Sequence, residues 1–154
     1  MYIMERNTKS AKTSDDRRKE LFDLYLSHHQ HINNWDLVDI ACMHVIGAYI
    51  FDKPRDILYQ LSLSSNLWER RTAIVSTLHF IRKGDLSDAF RLCEILENDQ
   101  EDLIHKACGW MLRCCGDKNK TALIQYLDEH AAVMPRTTLR YALEKFPKSE
   151  RDAY

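Results

Sequence analysis

The chain has 154 residues, 45% apolar and 29% charged, with a formal net charge of −1. That length suits one domain with one core, and the near-neutral balance excludes the strong basic excess of a protein that grips a polyanion by charge alone. With 4 Gly, 3 Pro and no alternating run of β-branched residues, the composition points to an all-α chain.

The charge is unevenly placed. Residues 1–102 hold 13 Lys+Arg against 17 Asp+Glu, whereas residues 103–154 hold 9 against 6. The five cysteines (Cys42, Cys93, Cys108, Cys114, Cys115) make no Cys-x-x-Cys pair, and their odd count without a secretory leader reads as reduced thiols in a cytoplasmic protein. No apolar run reaches the roughly 18 residues of a membrane span, so no membrane partner is expected.

Residues 1–13 are polar and aperiodic and read as a flexible N-terminal segment, ahead of a single helical domain over 14–154. Ser14-Asp15-Asp16 is an N-cap with acids in the first turn, leading a helix to about His29 with Leu21, Leu24 and Tyr25 on its apolar face. In His28-His29-Gln30-His31 adjacent histidines diverge, and no Cys or acid stands at ligand spacing. This is the polar end of a helix, and no metal is expected. Asn33-Asn34 then caps a helix from Asp36 to about Phe51 that is apolar nearly all round, so it belongs in the interior. Trp35 and Asp39, four residues apart, share one face of its first turns.

Pro54 starts a short helix to about Leu63, and Ser64-Ser65-Asn66 breaks it. Leu67 to Lys83 forms the next, closed by Gly84. Asp85 caps a helix to about Glu97, and Asn98-Asp99 caps another from Gln100 to Cys115, closed by Gly116. Asp117 opens a helix to about Ala131, and Pro135 starts a last one ending before Pro147.

Aligning these helices on one small residue gives Ala41, Ala73, Ala107 and Ala142, spaced 32, 34 and 35 apart. A period of that size made of two helices is the signature of an α-solenoid, in which antiparallel pairs stack and equivalent positions fall in line on a concave binding face. Two positions before each alanine stand Asp39, Arg71, His105 and Arg140, an acid followed by bases. Arg71 lies within an apolar stripe (Leu67, Ile74, Val75, Leu78), so its guanidinium needs an anion: a carboxylate such as Asp39, or a phosphate. Trp110 sits at the edge of the stripe Ile104, Ala107, Cys108, Met111 and Cys115, with Lys106 at i−4 and Arg113 at i+3. An aromatic plate between two cations suits a sugar-phosphate contact, although a core or rim tryptophan is the commoner case. Trp68 has no polar company and reads as packing.

Three stretches, Asn33-Asn34-Trp35-Asp36-Leu37-Val38-Asp39, Trp68-Glu69-Arg70-Arg71-Thr72-Ala73 and Lys106-Ala107-Cys108-Gly109-Trp110-Met111-Leu112-Arg113, resemble the AlkD family of DNA alkylation repair glycosylases. So does the ending Met134 to Phe146, and the resemblance covers most of 15–147. It implies a HEAT-like repeat fold that cups duplex DNA and removes cationic N3- and N7-alkylpurines without drawing the base into a pocket. It implies Asp39 as the catalytic carboxylate, Trp35 and Trp110 against the lesion's deoxyribose and backbone, Arg71 as a phosphate contact, and no metal or organic cofactor. Lys106, Arg113 and Arg140 join them as candidate DNA-binding cations. The Trp35–Asp39 motif stands nearer the N-terminus than in full-length members. The family's early helices are therefore expected to be missing, or replaced by self-association or a partner. The other class of reading is a non-catalytic HEAT-like scaffold that binds DNA or a protein partner.

Overall fold

The computed structural model describes residues 1–10 and 12–154, and no strand occurs among them. Helices α1 (Tyr2–Lys9) and α2 (Asp15–Ser27) precede a 3₁₀ turn, His29–His31. Next come α3 (Trp35–Cys42), a π-helical turn (Met43–Gly47) and α4 (Ala48–Ile50). Then follow α5 (Asp56–Ser62), α6 (Leu67–Ser76), α7 (Leu78–Lys83), α8 (Ser87–Ile95), α9 (Asp102–Lys118), α10 (Lys120–His130), α11 (Arg136–Ala142) and α12 (Lys148–Arg151).

The caps follow from local chemistry. Ser14 Oγ accepts from Arg17 N–H, Asn34 Oδ1 from Asp36 N–H at 3.2 Å and Asn66 Oδ1 from Trp68 N–H at 2.9 Å. Gly84 closes α7 at φ 90°, a left-handed position that costs glycine nothing. The four register alanines, Ala41, Ala73, Ala107 and Ala142, are all buried, and α3 packs on α6, α6 on α9 and α9 on α11 in that order. A side chain of one methyl group at each crossing lets the helices approach. Polar rungs then link residues one repeat apart. Arg55 donates to Asp85 at 2.7 Å and to Asp88 at 2.5 Å, Arg70 to Asp99 at 2.6 Å, and Thr138 Oγ1 to the His105 carbonyl at 3.2 Å. Trp68 packs on the core edge, and the five cysteines are free. No helix among the described residues is long and apolar enough to cross a membrane.

The structure departs from the sequence reading at several points. The N-terminal segment, aperiodic in sequence, carries α1, whose Met4 rests on the core together with the preceding Met1 and whose Thr8 is buried. Leu24, assigned to the apolar face of α2, is 46% exposed, while Leu21 and Tyr25 hold that face. His29 is no polar helix end. It is 3% exposed and its Nε2 hydrogen-bonds Thr72 Oγ1 at 2.8 Å, the same oxygen that meets Tyr25 OH at 2.9 Å. The helix expected over 67–83 breaks at Thr77, whose hydroxyl donates to the Ile74 carbonyl.

Gly116 does not close α9, which runs on to Lys118. Its missing side chain instead makes room for Leu123 Cδ2, 2.5 Å from where a Cβ would stand. The next helix is therefore opened by Asn119, whose Oδ1 accepts from Ala122 N–H at 3.1 Å, and not by Asp117.

Candidate active site

The first turn of α3 aims Trp35 and Asp39 to one side, and helix stacking brings α6, α9 and α11 up beside them. The result is an open hollow of about 370 Å³, within the usual range for ligand sites. Six of the seven candidate residues line it: Trp35, Asp39, Arg71, Lys106, Trp110 and Arg113. Arg140 does not, and lines the neighbouring hollow with its guanidinium 5.5 Å from the Tyr141 ring. His105, third in the register row, turns away, its Nε2 meeting the Asp99 carbonyl oxygen at 2.6 Å.

The centre of the hollow is an ion pair one repeat long. Arg71 Nε donates to Asp39 Oδ1 at 3.0 Å and Nη2 donates to Oδ2 at 2.7 Å, the bidentate fork that guanidinium and carboxylate geometry favours. Arg71 Nη1 donates to the Leu103 carbonyl at 2.5 Å, tying the pair to α9. Their side chains are 7% and 17% exposed, so water competes little for the contacts. Of the two anions open to Arg71 from its sequence position, its fork faces the carboxylate. Three of its five N–H donors are engaged, and the Asp39 carboxylate, with about four lone-pair sites, has two used.

Around this pair stand the aromatic walls. Trp35 is 50% exposed, and Trp110 is partly buried against the core. The outer cations are partnered: Lys106 Nζ lies 2.6 Å from Asp102 Oδ2, and Arg113 pairs with Glu144. Contact with Asp102 raises the Lys106 pKa and lowers that of Asp102, so both hold their charge at neutral pH.

Leu103 and Tyr141 also line the hollow, and sequence reasoning did not select them. The signal for Tyr141 lies in Gly109. A Cβ there would stand 2.5 Å from Tyr141 Cβ and 2.6 Å from the Thr138 carbonyl oxygen. The glycine beside Trp110 therefore lets α11 close on α9 and sets Tyr141 into the wall.

Fold and site together define a helical-repeat protein with an arginine-held carboxylate between two tryptophans. A family model described as DNA alkylation repair enzyme matches residues 3–146, and the chain belongs to that family. A search of curated proteins returned no match.

Proposed function

We propose that this protein is a DNA glycosylase that hydrolyses the N-glycosidic bond of cationic N3- and N7-alkylpurines in duplex DNA. The observation that carries the reading is Asp39, a carboxylate fixed by Arg71 on the floor of an open hollow flanked by Trp35 and Trp110. An alkylpurine already bears a positive charge. When its C1′–N bond breaks, the bonding electrons return to the ring and the base leaves neutral. The deoxyribose becomes oxocarbenium-like, water adds at C1′, and a proton is lost to leave an abasic site.

Asp39 stabilises the sugar cation through its free lone pairs and accepts the water's proton. Indole faces beside a cationic sugar add about 0.5–2 kcal/mol. Arg71 positions the carboxylate and turns its two remaining donors to a phosphate, with Lys106 and Arg113 as outer backbone contacts. An open hollow suits a lesion approached through its sugar and backbone.

The scaffold reading has an observation of its own. Asp39, Lys106 and Arg113 all carry protein counter-ions, as they would in a purely structural network. Incubation with duplex containing 7-methylguanine separates the two. The glycosylase releases free 7-methylguanine and leaves abasic duplex, whereas a scaffold binds the duplex and returns it intact.

A further inference from the structure

Beside the Asp39 hollow lies a second, of about 410 Å³, lined by Arg136, Thr137, Leu139, Arg140, Arg151 and Tyr154. The inner arginines of the molecule face acids: Arg55 has Asp85 and Asp88, Arg70 has Asp99, Arg71 has Asp39 and Arg113 has Glu144. Among the described residues Arg136, Arg140 and Arg151 form no ion pair. Three neighbouring carboxylates are engaged elsewhere. Asp128 accepts from Tyr154 OH at 2.7 Å, Glu150 pairs with Lys120 at 2.6 Å, and Asp102 pairs with Lys106. Three guanidiniums around one hollow concentrate positive charge there, and their planar forks match phosphate oxygens.

We propose that this hollow is a second phosphate-binding site, which takes the DNA backbone where it runs on from the lesion pocket. The two hollows are both lined by residues of α11. Tyr141 lines the first and carries Arg140 of the second on its ring, while Thr137 of the second adjoins Asp102, the partner of Lys106 in the first. Beyond Tyr141, the next cation for a polyanion lying across Trp110 and Tyr141 is Arg140. The buried side chain of Leu139 and the Tyr154 ring give the sugars an apolar floor. Arg151 and Tyr154 lie beyond the family-matched residues 3–146, so the site joins family-matched sequence to a segment outside that match.

The inference rests on the reading of the protein as a DNA binder, and its test is independent of base release. Arg136 and Arg151 are exposed, so Arg136→Ala, Arg151→Ala and the double variant should fold as the parent does, checked by thermal midpoint. Affinity for a short undamaged duplex is measured between about 50 and 200 mM salt. Each phosphate contact contributes about 0.9 to the slope of log affinity against log salt. The double variant should therefore lose close to two units of slope and bind at least tenfold more weakly at the low-salt end. An unchanged slope overturns the proposal, as does failure of the parent to bind duplex. So does calorimetric binding of inorganic phosphate to the parent that vanishes in the double variant while duplex affinity stays, which would make this a free-anion site. Loss of slope in a protein that releases no base would sustain this site and refute the glycosylase reading instead.

Discussion

Replacing Arg71 by methionine removes three donors at once: those 3.0 and 2.7 Å from the two Asp39 oxygens and the one 2.5 Å from the Leu103 carbonyl. The Asp39 carboxylate is then left with little water and no counter-ion, a change that typically costs about 3–5 kcal/mol. Against a total stability of about 5–15 kcal/mol this is a large share. At about 2–4 °C per kcal/mol for a domain of this size, the midpoint should fall by about 6–20 °C. Asp39→Asn alone keeps one acceptor for the guanidinium and presents an amide donor to the rest, so its cost should be smaller, about 1–3 kcal/mol. The double variant leaves neither charge stranded. Its loss should be less than that of Arg71→Met alone, with a coupling of at least about 1 kcal/mol. Urea unfolding of parent, singles and double, followed by circular dichroism, measures the cycle. Losses that add to within about 0.5 kcal/mol would refute the pair as the element that fixes Asp39.

Gly109→Ala puts a methyl group into Tyr141 Cβ and the Thr138 carbonyl, so α11 must shift. A loss of about 1–3 kcal/mol in denaturation with slower base release is expected, and parent-like values for both would show that the close approach is not needed. Trp35→Ala should leave stability nearly unchanged, because the side chain is half exposed. It should slow excision by about 2- to 30-fold, the equivalent of about 0.5–2 kcal/mol, in a single-turnover assay. Burial lowers the pKa of His29, and the weaker pull of Glu69, 3.8 Å from Nδ1, does not offset it. The folded state therefore binds fewer protons than the unfolded chain, whose histidine titrates near about 6.5. The contribution of His29 is complete above that pH and is lost as pH falls through the lowered value. Stability curves at stepped pH should show this acid loss diminished in His29→Phe, with the share of partly buried His79 remaining.

Much of the scaffold was legible because its signals are local. The cap at Ser14, the glycine stop at Gly84 and the register of Ala41, Ala73, Ala107 and Ala142 are written in single residues and their spacing. Gly116 was not, since a glycine that stops a helix and one that admits a neighbour's Leu123 are the same letter. His29 escaped for a related reason. Its partner Thr72 lies 43 residues away, and nothing local marks a histidine as buried. In the site, the four-residue spacing of Trp35 and Asp39 and the apolar stripe around Arg71 fixed which faces they share. Tyr141 and the displacement of Arg140 depended on how α11 meets α9, a tertiary contact at Gly109 and Thr138.

The role proposed for Asp39 is to perform the chemistry in the hollow between Trp35 and Trp110. Its most direct test is the single-turnover rate of 7-methylguanine release from duplex by the parent and by Asp39→Asn, with duplex affinity measured alongside and folding verified. Loss of one preorganised charge-stabilising group should slow release by about 10²–10³-fold, while affinity stays equal or rises slightly because a repulsion with phosphate is gone. Release by a folded Asp39→Asn protein at the parental rate would contradict the account and leave Asp39 as the structural partner of Arg71.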